Sequence, residues 1–225
     1  CWLVEFAGMV CAGIPENNGA KMEYWNEAIT QKSLETLRKI NNEIDFVIIG
    51  GWAAYLWTKA HKSKDIDIVI DYKELDKLKS NYRLDKNDNL KKYEIVFGNI
   101  DLDIYVPYFS KLAIPIEDLG KYTTKIEGFH VVKPEALLIL KQGAELQRRY
   151  SIKGEKDRID IVSILLFSDI DFKDYFDLLK KYKLDNYFGR LKEIIKTFKE
   201  CSYLGLNPRE FKLKREKILM ELKKI

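Results

Sequence analysis

With 225 residues, 46% of them hydrophobic, the chain is long enough for one good core or two small ones and too apolar to be disordered. Its 39 Lys and Arg against 35 Asp and Glu leave a net charge of +4, which implies mild attraction to phosphates and argues against a dedicated nucleic-acid surface. Cys1, Cys11 and Cys201 match no zinc spacing, which argues against metal held on sulfur and for a reducing, cytoplasmic compartment.

In chain order, residues 1–23 read as an N-terminal extension. The stretch from Cys1 to Ala20 is mildly apolar but contains Glu5, lacks a cationic start and falls short of the ~20 apolar residues of a membrane span. It reads as neither signal nor anchor, so no membrane association is expected. From Tyr24 to Asn42 the residues Trp25, Ile29, Leu34, Leu37 and Ile40 recur at helical spacing. Phe46 to Ile49 is a continuous apolar run, too short for a helix and suited to a strand buried on both faces. It ends at Gly50-Gly51, and Trp52 to Lys59 reads as a short helix. A strand over Ile66 to Asp71, a helix over Tyr72 to Ser80, and a hairpin of Lys91 to Phe97 with Ile100 to Pro107 about Gly98-Asn99 follow. Glu127 to Val132 reads as one more strand. Beyond Pro134 helices are expected at 135–149, 155–167, 171–182, 185–200 and 208–224. The expected architecture is α/β (α+β): a small mixed sheet flanked by helices over 24–132, then a helical subdomain over 133–225.

The chemistry concentrates on two strands. Asp65 and Asp67 lie two apart and share one strand face, and Asp101 and Asp103 do the same on the later strand. If those strands are neighbours, three or four carboxylates converge. Two unit charges ~6 Å apart at an effective dielectric of ~20 repel by about 3 kcal/mol, so the cluster needs a cation. Hard oxygen ligands select Mg²⁺ or Mn²⁺. Gly50-Gly51, between a buried strand and a helix, offers backbone amides and the helix dipole to a phosphate. Each part alone has a plain structural explanation, as solvated edge patterning or a tight turn; their conjunction points to metal-assisted phosphoryl chemistry on a nucleotide. Spacing leaves Asp101 and Asp103 as alternatives, with Asp103 favoured because it lies deeper in the apolar strand.

Gly50-Gly51-Trp52-Ala53, then Ser63-Lys64-Asp65-Ile66-Asp67, then Asp103 in a strand resembles the nucleotidyltransferase superfamily with the polymerase-beta-type fold, closest to its small prokaryotic toxin-like and antibiotic-modifying branch. The resemblance covers roughly residues 40–165. It implies that Asp65, Asp67 and Asp103 bind two Mg²⁺. Gly50, Gly51, Ser63 and Lys64 would lie at the nucleotide, and an NMP would pass from an NTP to a hydroxyl of an RNA end such as tRNA, a protein or a small molecule, releasing pyrophosphate. It also implies a cognate antitoxin-like partner. Many members carry Gly-Ser where this chain has Gly50-Gly51, which removes one hydroxyl contact to phosphate. A catalytically silent nucleotide- or RNA-binding member is the alternative.

In the helical half, Lys141 sits in the apolar face of Pro134 to Arg149, either snorkelling or aimed at an anion; relatives have a lysine in a corresponding helix that approaches the phosphates. Arg148 shares that face as a second phosphate contact or an ion-pair partner. Asp157 either orients Lys141 or Arg148 from behind, as Asp101 would support Asp103, or serves the dipole of its helix. Trp52 is expected to fill core and His61 to cap a helix, with Tyr108 open to either a structural or a base-stacking role.

Overall fold

The computed structural model describes residues 27–224, so the extension at 1–23, Trp25 and Cys1 and Cys11 lie outside the described residues. Its elements run α1 (Glu27–Asn41), β1 (Val47–Ile49), α2 (Gly50–Thr58), β2 (Ile66–Val69), α3 (Tyr72–Asn81), β3 (Asp85–Asn87), β4 (Lys92–Phe97), β5 (Ile100–Tyr105), α4 (Ile116–Leu119), β6 (Thr123–Ile126) and β7 (Phe129–Val132). The helices α5 (Pro134–Arg148), α6 (Ile152–Phe167), α7 (Phe172–Lys181), α8 (Asp185–Thr197) and α9 (Pro208–Glu221) complete it.

The strands form one mixed sheet in the order β3-β4-β5-β2-β1-β7-β6. β1 runs antiparallel to β2 and parallel to β7, while β2 and β5 run parallel. The central strands are apolar because both faces are covered: Ile48, Ile66, Ile68, Leu102 and Ile104 are fully buried. α2 is apolar all round, with Trp52, Ala53, Ala54 and Leu56 buried, and it occupies the interior between sheet and helical half. Apolar contact is continuous from Leu37 on α1 to Leu222 just past α9, so α5 and α6 pack into the same core as the sheet. Among the described residues no helix is long and apolar enough to cross a membrane.

Local signals explain several helix starts. Ser151 accepts from the Gly154 amide and starts α6 three residues earlier than the expected 155, and Asp171 caps α7 in the same way. Asn207 and Glu210 form a capping box on α9. Glu127 does not join the strand expected over Glu127 to Val132. It has φ +50 and forms, with Gly128 at φ +85, the two-residue turn between β6 and β7. β3 and β6 were not expected at all: Asp-Lys-Asn and Thr-Thr-Lys-Ile are polar edge segments without an apolar face to betray them.

Candidate active site

Parallel pairing of β2 and β5 is in the register that sets Asp67 beside Asp103, with Ile66 beside Leu102. Because side chains alternate, the two acids share one face while the isoleucines and leucine of the same strands fill the core. β1 lies on the other side of β2, with Ile49 opposite Asp67, and the chain turns into α2 at the next residue. Gly50 takes φ +66, and a Cβ there would lie 2.1 Å from Asp67 Oδ2. The close approach leaves no room for a side chain, and the left-handed φ favours glycine. A Cβ on Gly51 would lie 2.5 Å from Ser63 Oγ, so the buried Ser63 hydroxyl fills the space a side chain at 51 would need. No side chain caps the start of α2, which leaves its first amides for a ligand.

These residues line a cavity of about 390 Å³ between the sheet and α5–α6. Gly50, Gly51, Lys64, Asp65, Asp67, Asp103, Lys141, Arg148 and Asp157 all border it. Asp101 does not. It lies one pleat repeat from Asp103, opposite Val96, and is exposed. Ser63 lies behind Gly51 rather than on the cavity wall. Trp52 is fully buried with its indole donating to Ser33 Oγ at 2.9 Å, and Tyr108 is 88% exposed. Burial lowers the pKa of His61.

Lys141 is enclosed rather than snorkelling. Its ammonium donates to Asp160 Oδ2 at 2.6 Å and lies 3.6 Å from Asp157 Oδ1. Arg148 grips Asp157 with two bonds, Nε to Oδ2 at 2.6 Å and Nη2 to Oδ1 at 2.9 Å. The four groups form one charge-balanced chain along α5 and α6. Burial would depress the Lys141 pKa, but Asp160 and Asp157 hold it above its ordinary value, so the ammonium stays charged at the cavity wall.

Three groups escaped the sequence reading. Lys92 on β4 donates to Asp103 Oδ2 at 2.6 Å and lies 2.8 Å from Glu94 Oε1. The Tyr105 hydroxyl faces Asp67 Oδ1 at 3.5 Å. Asp160 is the third. A countable signal existed for the first: the two-residue turn at Gly98-Asn99 fixes Phe97 opposite Ile100, which places Glu94 directly opposite Asp103. Like charges in that relation repel, so a cation between them is required, and Lys92 is the nearest on that face.

Burial raises the pKa of Asp67, with Asp65 adding repulsion against the pull of Lys141. Asp103 is pushed up to about 6 by burial and then by Asp67, outweighing its bond to Lys92. Among the described residues no three acidic, His or Cys side chains are gathered as a ready ligand set. The donor chemistry nevertheless fits a hard divalent cation. Asp65 Oδ1 and Asp103 Oδ1 are buried oxygens without a hydrogen-bond partner, the kind of donor such a cation takes. A pH dependence follows from Asp103. Its folded pKa lies above its unfolded value of 3.8, so its contribution to stability is complete below 3.8 and is lost as pH rises through about 6. Added Mn²⁺ should therefore raise the melting temperature at pH 7.5 and have little effect at pH 5, as differential scanning fluorimetry would show. An equal gain at both would show that these carboxylates do not bind the cation.

No family model and no curated protein matches the sequence. Solved structures do. JHP933 from Helicobacter pylori is similar over 89% of this chain and 95% of its own, at 16% identity and a TM-score of 0.52. ANT(2")-Ia in complex with adenylyl-2"-tobramycin matches over 68% of this chain and 98% of its own, at 13% identity and a TM-score of 0.48. An antigenic nucleotidyltransferase-like protein from Paracoccidioides brasiliensis matches over 63% and 77%, at 20% identity and a TM-score of 0.39. The chain shares the fold of JHP933, a mixed sheet flanked by helices, and here its diglycine turn and acid-bearing strands meet at one cavity.

Proposed function

We propose that the chain is a divalent-metal-dependent nucleotidyltransferase that moves an NMP from an NTP to a hydroxyl acceptor and releases pyrophosphate. The observation that carries this reading is the meeting of Asp67 and Asp103 against the Gly50 turn, in a cavity whose rim bears cations. Lys64, Lys111, Lys153 and Lys156 border that cavity and make no ion pair among the described residues. Together they offset the charge of a triphosphate.

In this reading the amides of Gly50 and Gly51 receive phosphate oxygens at the start of α2. Lys141 has three donors and gives one to Asp160, which leaves others for the triphosphate. Arg148 is steadied by Asp157 and faces the same cavity. Asp65, Asp67 and the unpartnered oxygen of Asp103 would hold Mg²⁺ or Mn²⁺, which when bound supplies positive charge to the triphosphate and favours ionisation of the acceptor hydroxyl. The test is incubation with α-labelled NTPs, Mg²⁺ and separate pools of tRNA, protein and small hydroxyl compounds. Label should move to one pool. Nucleotide bound without transfer to any pool would instead identify a silent binding protein.

Gly50→Ala probes the phosphate turn. An L residue in the left-handed region costs about 1 kcal/mol or more, and the new methyl drives Asp67 out of place. Nucleotide affinity should fall by at least about tenfold, readable by fluorescent-nucleotide titration. Unchanged affinity would show that the turn does not touch phosphate.

A further inference from the structure

The expectation of two metal ions meets an obstacle in Lys92. Its ammonium is held from two sides, by Asp103 Oδ2 at 2.6 Å and Glu94 Oε1 at 2.8 Å, and its side chain is only 12% exposed. It stands where a cation serving Asp103 would stand. Moving it away would leave Glu94 and Asp103, direct cross-strand partners, facing each other without a counter-charge. It would also strip a nearly buried ammonium of both its acceptors. Lys141 and Arg148 do not replace Lys92 between Asp103 and Glu94, because they are matched by Asp160 and Asp157.

We propose that Lys92 supplies one of the positive charges this carboxylate group requires, so that the cleft takes one divalent cation with its nucleotide rather than two. The geometry supports this: the Lys92 ammonium occupies the Oδ2 side of Asp103 and bridges it to Glu94. The unpartnered oxygens agree with it as well: Asp65 Oδ1 and Asp103 Oδ1 are open, whereas Asp103 Oδ2 is taken. Lys92 is then a fixed, protein-borne cation beside the metal, and Glu94 is the residue that keeps it there.

This inference rests on the nucleotidyltransferase reading, and the experiment separates the two. Mn²⁺ bound to the chain saturated with a non-hydrolysable NTP analogue is counted by electron paramagnetic resonance, and the sites are located by anomalous scattering from Mn²⁺-soaked crystals. The wild-type chain should hold about one Mn²⁺ per nucleotide, and Lys92→Met, with Asp103 released, about two. Two ions in the wild type, one of them on Asp103 Oδ2, would overturn the role of Lys92 and leave the nucleotidyltransferase reading standing. No protein-bound Mn²⁺ at all would overturn both. Should Lys92→Met not fold, the wild-type count and the anomalous map decide the matter alone.

Discussion

Asp67→Asn should lower NMP transfer by about 10³-fold while leaving a folded protein that still binds nucleotide. Asp67 is the point where the features of the site converge: it pairs with Asp103 across β2–β5, presses against the Gly50 turn and receives the Tyr105 hydroxyl. The amide is nearly isosteric and removes only the charge. Since burial already disfavours that charge, the folded chain tolerates the neutral form and stability should be unchanged or higher. The diagnostic pattern is a collapse of kcat with a preserved melting temperature. Transfer within a factor of a few of wild type would mean that Asp67 neither binds the metal nor meets the reacting phosphate.

Asp160→Ala should have the second large effect, on stability. Asp160 and Lys141 are each more than nine-tenths buried, and removing one partner strands the other charge in the interior, a loss of about 3–5 kcal/mol. For a chain of this size the melting temperature should drop by roughly 10 °C. The double replacement Lys141→Met with Asp160→Leu removes both charges and should recover most of that stability. Activity should not return with it, because the cation at the cavity wall is gone. Recovery of both would show that the pair is purely architectural.

These contrasts indicate what was legible in the chain and what was not. The central strands and the diglycine turn follow from two-residue periodicity and from glycine chemistry, which act locally, while Asp65 lies in a bend one residue before β2 and borders the same cavity as Asp67. The pairing of Asp67 with Asp103 needed that β2 and β5 be neighbours and that their register match, which spacing alone does not supply. β3 and β6 were hidden because edge strands carry no apolar alternation. The environment of Lys141 was hidden for another reason. Its apolar neighbours Leu137 and Leu138 show that the residue is enclosed, but its partner Asp160 comes from α6, and the packing of two helices cannot be counted from spacing. Asp157, weighed as a support for Lys141 or Arg148, lies 3.6 Å from the first and bonds twice to the second. Lys92 lay within reach of simple counting, since the hairpin register places Glu94 on Asp103; the charge conflict on that pair was the clue.

The central claim is the transfer of a nucleotidyl group, and the position of the label in the product tests it most directly. The chain is given NTP labelled at the α-phosphate or at the γ-phosphate, with Mg²⁺ and the acceptor pool that accepts label. The account predicts that α-label joins the acceptor while γ-label leaves as pyrophosphate. Transfer of γ-label to the acceptor, with α-label left in free NDP, would contradict it and make the cleft that of a kinase.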